Sequence, residues 1–194
     1  MIIPHLLTVQ GKKCRLVQYS RDLVETYHRW FVEDAELLEL TCSELLSLEE
    51  EYVNQQSWIE DPDKLTYLIR DETRDDALLC GDINAFFSDY FESDWQTGDP
   101  EPSMVPTGRV AEINLMIAEK QSRRKGIAEE ALALFMRAIE ENTAGTRLFV
   151  AKIQLQNTAS IKLFEKIGFH EFKRIECFNE VHFIKWVSHN SSRI

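Results

Sequence analysis

Several classes of protein are excluded by what this sequence has little of. None of its apolar runs is long enough to cross a bilayer as a helix. The apolar start, Met1 to Leu7, is short and broken by Pro4. It lacks the basic stretch and small-residue cleavage site of a signal peptide, so it reads as mature sequence. Cysteine is sparse and dispersed, at Cys14, Cys42, Cys80 and Cys177, which removes metal-knuckle spacing and any CxxC redox pair. Dispersed thiols without a signal peptide point to a reduced protein of the cytosol or nucleus, and no metal is expected. There are no internal repeats and no low-complexity tracts. Basic residues are also short, 22 Lys and Arg against 33 Asp and Glu for a net charge of −11, which argues against a nucleic acid or an anionic membrane as partner.

The shortage of positive charge is patterned. From Trp30 to Asp63 there are eleven acids and no Lys or Arg, and from Asp75 to Gly108 eight acids and again none. Lys120 to Lys125 reverses this with four basic residues in six. A chain that handles an anion in one region and an amine in another fits this distribution, and so does plain solvated acidic surface.

The 194 residues suffice for one domain with a real core. Residues 94–108 carry three of the five prolines and no periodicity, and read as a surface loop; 188–194 read as a frayed tail. Cys14 to Tyr19 reads as a strand, followed by a helix capped by Ser20 with Leu23, Val24, Tyr27, Trp30 and Phe31 on its apolar face. Ser47-Leu48-Glu49-Glu50 is a capping box that opens a helix ending before Asp61-Pro62. Leu65 to Ile69 and Ala77 to Phe87 read as an antiparallel pair. A strand at Arg109 to Ala118, a helix at Ile127 to Glu140, a strand at Arg147 to Leu155 and a short helix at Thr158 to Ile167 stopped by Gly168 follow, then two closing strands. Strand-helix-strand units within a mixed sheet imply an α/β (α+β) fold with helices on both faces.

The strongest local feature is the strand, basic glycine turn and helix between Ala111 and Ala138. A helix start offers unpaired N–H groups and the positive end of a dipole, glycine allows close approach, and Arg123, Arg124 and Lys125 add charge. That is an anion site of pyrophosphate size, without the closing GKS/GKT of a Walker loop or the three glycines of a dinucleotide fingerprint. After the next strand comes Asn157-Thr158-Ala159-Ser160-Ile161-Lys162-Leu163-Phe164-Glu165-Lys166-Ile167-Gly168-Phe169.

With both segments in view, the chain resembles the GCN5-related N-acetyltransferase (GNAT) superfamily. Arg123-Arg124-Lys125-Gly126-Ile127-Ala128 is similar to its pyrophosphate motif and Asn157 to Phe169 to its Asn-x-x-Ser-x-x-Leu-Tyr/Phe-x-Lys-x-Gly-Phe segment. Tyr27-His28-x-Trp30, Gln56-Ser57-Trp58, Gly81-Asp82-Ile83-Asn84 and Ala111-Glu112-Ile113 are similar to the N-acetyltransferase-9-like branch. The resemblance implies a single domain over 1–194, with a mostly antiparallel sheet that splays between its fourth and fifth expected strands, Val110 to Ala118 and Leu148 to Leu155. It implies acetyl transfer from acetyl-CoA to a primary amine, most plausibly a protein N-terminus or lysine. The alternatives are a protein that binds acetyl-CoA without turnover, or one that uses its acidic surface to bind a basic partner.

The resemblance also assigns roles. Backbone groups of Leu115, Met116 and Ile117 would pair with the pantetheine and polarise the acetyl carbonyl; Asn157, Ser160 and Phe164 would lie beside the cofactor. On a strand Glu112, Asn114 and Met116 share one face, opposite the apolar Ala111, Ile113, Leu115 and Ile117. Glu112 is therefore the first choice as base, with Glu180 and His182 behind it. His28, Trp30, Asn114 and Glu180 are candidates for the amine side. Lys152 stands where some N-terminal acetyltransferases place a glutamate, and facing the site it would disfavour a cationic amine. Phe164 replaces the tyrosine that many relatives use as acid, which leaves Cys177, Tyr19, Tyr27, Tyr67 or water for that task.

Overall fold

A computed structural model describes residues 8–41, 43–90, 108–143 and 145–187. Residues 1–7, Cys42, the expected loop up to residue 107 and the tail 188–194 lie outside the described residues. Two compact units are formed, Met1–Phe86 with Asn114–Asn142, and Phe87–Ile113 with Thr143–Ile194.

In the first unit β1 (Thr8–Gln10), β2 (Cys14–Gln18), β3 (Lys64–Asp71) and β4 (Leu79–Tyr90) pair successively and antiparallel. Its helices are α1 (Val24–Glu33), α2 (Ala35–Thr41), α3 (Leu48–Glu60) and α4 (Ile127–Asn142). Tyr67 and Leu68 are successive on β3 and so point to opposite faces. Leu68 packs with Tyr27, Trp30 and Phe31 of α1, while Tyr67 meets Phe135 of α4 edge-on at 6.1 Å. Helices therefore cover both faces of this part of the sheet.

The capping box forms as the sequence requires. Glu50 N–H donates to Ser47 Oγ at 3.3 Å, and Ser47 N–H donates to the Glu50 carboxylate at 2.8 Å. Ser20 behaves differently from expectation. Its hydroxyl donates to Asp22 at 2.6 Å, it makes no side-chain cap, and the chain enters α1 through a 3-10 turn, Arg21–Leu23. The short elements β1 and α2, and a 3-10 turn at Lys120–Ser122, have no counterpart in the sequence reading. Each spans seven residues or fewer, too few for a period to declare itself.

In the second unit β5 (Gly108–Ile117), which continues into the first unit from Asn114 on, begins parallel to β6 (Thr146–Gln154). β6 pairs antiparallel with β8 (Glu180–Trp186), and β8 with β7 (His170–Ile175). The β5/β6 register ends at Glu112↔Val150, although β6 remains paired with β8 as far as Gln154↔Glu180. The remaining helix, α5 (Thr158–Lys166), follows β6.

The burial pattern changes along β5. Ala111 and Ile113 are buried and Glu112 and Asn114 half-buried; then Met116 and Ala118 are buried while Leu115 and Ile117 are half-exposed. Met116 is therefore a core residue, packed with Leu68 and the apolar side of α1.

Candidate active site

The basic turn leads into α4 in the first unit. Gly126 takes φ +81, and its carbonyl accepts the first helical bond from Glu130 N–H at 3.2 Å. The N–H groups that follow are the orphan donors of a helix start. Arg124, with φ +62, holds a left-handed conformation that a side chain rarely adopts. Strain of that kind persists only where the surroundings impose it.

Four cations in six residues suggested a wholly cationic loop, and the structure sorts them. Lys120 pairs with Asp34 at 3.1 Å. Arg123 donates to the carbonyls of Ile117 at 2.8 Å and Ala118 at 3.3 Å, closing the end of β5. Lys125 Nζ lies 3.1 Å from the Asp71 carboxylate. Arg124 alone of the four makes no side-chain pair among the described residues. The Ile117 carbonyl, expected to serve the cofactor, already accepts from Arg123.

Asp71, at the end of β3, was not foreseen. It is fully buried and accepts from Thr73 N–H at 2.9 Å, Thr73 Oγ1 at 2.5 Å, Ser122 Oγ at 2.7 Å and Lys125. Burial alone would raise its pKa, but hydrogen bonds from Thr73, Ser122 and Lys125 outweigh it and hold the group down to about 2. Asp71 thus moors the turn to β3. Glu130 does similar work: its carboxylate accepts N–H bonds from Lys12, Lys13 and Cys14 at 3.1, 2.6 and 2.9 Å. Asp71-x-Thr73 is a local turn signal, but nothing local announces its partners fifty residues on.

In the second unit a polar strip lies on one face of β5, β6 and β8. Glu112 pairs with Lys152 at 2.7 Å, both side chains partly exposed. Lys152 is directly opposite His182, and Gln154 opposite Glu180. His182 Nε2 lies 3.3 Å from Glu180, which also accepts from Gln154 at 3.4 Å. Burial, with Lys152 and Lys173 adding to it, lowers the His182 pKa against the pull of Glu180, so the imidazole is neutral at neutral pH. The same face is apolar at its other end, where Val110, Leu148, Val150, Phe172 and Ile184 pack together.

Asn157 caps α5: its Oδ1 accepts from Ser160 N–H at 3.1 Å, while its Nδ2 makes no hydrogen bond among the described residues. The helix ends with Gly168 N–H bonded to Glu165 O at 3.0 Å and Phe169 N–H to Phe164 O at 3.0 Å. The Phe164 and Phe169 rings close this turn edge to face at 5.0 Å. Phe164 is therefore a buried packing residue.

Other expected residues fall elsewhere. Trp30 is 4% exposed, and its indole N–H donates to Glu119 at 2.9 Å, so it belongs to the core instead of an open wall. His28 is half-buried and lines a cavity of about 210 Å³ with Tyr27, Phe31, Glu44, Glu51 and Trp58. Asn114 is half-buried. Tyr19, Tyr27 and Tyr67 are buried, and burial raises the pKa of the first two. Cys177 is an exposed free thiol; Cys14 and Cys80 are buried and free.

The strand, glycine turn and helix, followed by a strand and an Asn-capped helix, make an α/β fold. Solved structures agree: an acetyltransferase from Salmonella typhimurium that modifies the N-terminal serine of ribosomal protein L7/L12 superimposes with a TM-score of 0.69 at 16% identity, covering 92% of this chain and 97% of that one. RimL, a ribosomal L7/L12 α-N-protein acetyltransferase in complex with coenzyme A, gives 0.72 at 15% identity over 96% and 98%. The Acetyltransferase (GNAT) domain family model matches residues 14–170, so the chain belongs to the GNAT acetyltransferases and is an acetyl-CoA-dependent N-acetyltransferase. Within that family its relatives are the N-acetyltransferase 9-like proteins. That of Caenorhabditis briggsae is 38% identical over 89% of this chain and 82% of its own length. The Drosophila melanogaster alpha/beta-tubulin-N-acetyltransferase 9 is 38% identical over 89% and 83%.

Proposed function

We propose that the chain acetylates the N-terminal amine of a polypeptide, with the phosphates of acetyl-CoA at the 123–128 turn and proton removal by Glu112. The turn fits that group: a glycine at φ +81, an unpaired Arg124 and orphan N–H donors meet at one helix start. We assign the Asn157 amide to the pantetheine, with Ser160 at the same helix start. When bound, acetyl-CoA supplies an electrophilic thioester carbonyl. This chain's residues must then orient the amine and take its proton.

The observation that carries the reading is the Glu112–Lys152 pair beside a neutral His182. Lys152 alone would repel an ammonium, but its charge is offset by Glu112. The ion pair fixes the position of the Glu112 carboxylate, which takes the proton of the amine directly or through one water. Phe164 cannot protonate the departing thiolate, and a thiolate leaves without that help more readily than an alkoxide or amide would. Tubulin is the first protein to try, because relatives 35–38% identical are named alpha/beta-tubulin-N-acetyltransferase 9. The dispersed free thiols favour a cytosolic or nuclear location.

The test offers purified protein acetyl-CoA with N-terminal tubulin peptides, and with the same peptides N-blocked and carrying a lysine. Acetyl incorporation on the free terminus, lost at least a hundredfold in kcat for Glu112→Gln with acetyl-CoA affinity unchanged, is expected. Transfer to lysine only would overturn the acceptor, and full activity of Glu112→Gln would remove it as base.

A further inference from the structure

The β1–β2 turn supplies a cation that the basic loop does not contain. Glu130 sits in the first turn of α4, four residues after Gly126, and clamps Lys12, Lys13 and Cys14 by their N–H groups. The clamp is tight. A Cβ on Gly11 would lie 2.6 Å from Glu130 Oε2, 2.7 Å from the Cys14 carbonyl and 2.7 Å from Leu134 Cδ1, so only glycine fits there. The pKa of Glu130 is lowered: burial would raise it, and the three N–H bonds overcome that.

Held in this way, Lys13 lays its side chain across Gly126. Its Nζ would be 2.6 Å from a Cβ at Gly126, with Cδ and Cε at 3.8 Å. The ammonium has no ion-pair partner among the described residues. It stands at the positive end of the α4 dipole, against the turn that carries Arg124, and neither of these two cations has a carboxylate partner for its side chain among the described residues.

We propose that Lys13, positioned by Glu130, binds the diphosphate of acetyl-CoA, so that the β1–β2 turn completes the anion site from a separate part of the chain. This rests on the placement of the cofactor at the 123–128 turn. Glu130 does not touch the ligand. It positions Lys13, and it does so from the same helix whose N-terminus receives the phosphate, which couples the two halves of the site rigidly.

The experiment measures affinity of the full chain for coenzyme A, 3′-dephospho-coenzyme A and acetyl-pantetheine. Lys13→Ala should weaken coenzyme A and its dephospho form equally, about tenfold, as expected for one partly exposed charge-assisted contact. It should leave acetyl-pantetheine unaffected, and Lys13→Arg should recover most of the loss. Glu130→Gln should reproduce a smaller loss, again confined to phosphate-bearing ligands, where a merely structural defect would weaken all three. Unchanged coenzyme A affinity in Lys13→Ala, or a loss that persists with acetyl-pantetheine, overturns the proposal. A loss seen with coenzyme A but absent with the dephospho form would assign Lys13 to the 3′-phosphate and overturn the diphosphate contact. Gly126→Glu keeps the two readings apart: if it abolishes binding while Lys13→Ala does nothing, only the role of Lys13 falls. If Gly126→Glu also binds normally, the turn is not the cofactor site.

Discussion

The turn at 123–128 and the helix start at 157–169 each present donors to a ligand, yet they are held in opposite ways. The second is held mostly by its own residues: Asn157 caps with Ser160, Gly168 closes on Glu165, and Phe164 packs on Phe169, with Lys185 of β8 donating to the Ile167 carbonyl as the contribution from outside. The first is held from outside, by Asp71 across 54 residues and by Glu130 reaching back 117. A self-capped segment can tolerate changes elsewhere in the chain. A moored turn turns every distant anchor into a functional residue, and it spends most of its own charge on structure.

The contrast is most sharply broken at Asp71. Asp71→Asn removes the acceptor shared by Ser122 and Lys125, and should cost about 2 kcal/mol of stability with a several-fold loss of coenzyme A affinity. The pH dependence gives an independent check. Asp71 is held at about 2, below its ordinary 3.8, so its contribution is present above pH 4 and lost as pH falls through 2. Acid unfolding curves of Asp71→Asn should lack that part of the slope; an unchanged slope would mean the turn is not moored there.

Asn157 gives a smaller and separable effect. Asn157→Ala should cost about 1 kcal/mol through the lost cap, along with a few-fold weaker binding of acetyl-pantetheine. Asn157→Asp keeps a capping oxygen and deletes the Nδ2 donor, so thermal stability should recover while binding does not. If binding recovers too, the amide acts only as a cap.

A test away from both helix starts concerns Asp82 on β4, whose side chain accepts from Asn84 at 3.0 Å. Burial pushes its pKa up to about 7. A raised carboxyl stabilises fully below its ordinary value, and that contribution is lost as pH rises through 7. Stability measured between pH 4 and 8 should fall across that range and flatten in Asp82→Asn. Equal slopes in both proteins would show that Asp82 is ionised throughout.

How much could be read in advance followed from range. The Ser47–Glu50 box, the Asn157 cap, the Gly168 stop and the apolar stripe of α4 are i to i+3 or i+4 relations, and all appear where the residue order puts them. Ser20 stands before a 3-10 turn in place of the first turn of α1 and makes no side-chain cap. Met116 is buried although it alternates with Glu112 and Asn114, because burial there depends on what packs over the strand and not on alternation alone. Glu112 was legible as the acid of an apolar strand, but its partner Lys152 was visible only as a charge of uncertain direction until β5 and β6 were in register.

By itself the order of residues determined the longer elements, the glycine turn with its helix start and the family they spell out, because hydrogen bonding and hydrophobic period act over a few residues. Only the tertiary structure decided which charges remain for a ligand. Lys125 went to Asp71, Arg123 to the carbonyls ending β5, and Lys13 arrived from the far end of the chain. A cation's work depends on the nearest carboxylate, and folding chooses that neighbour.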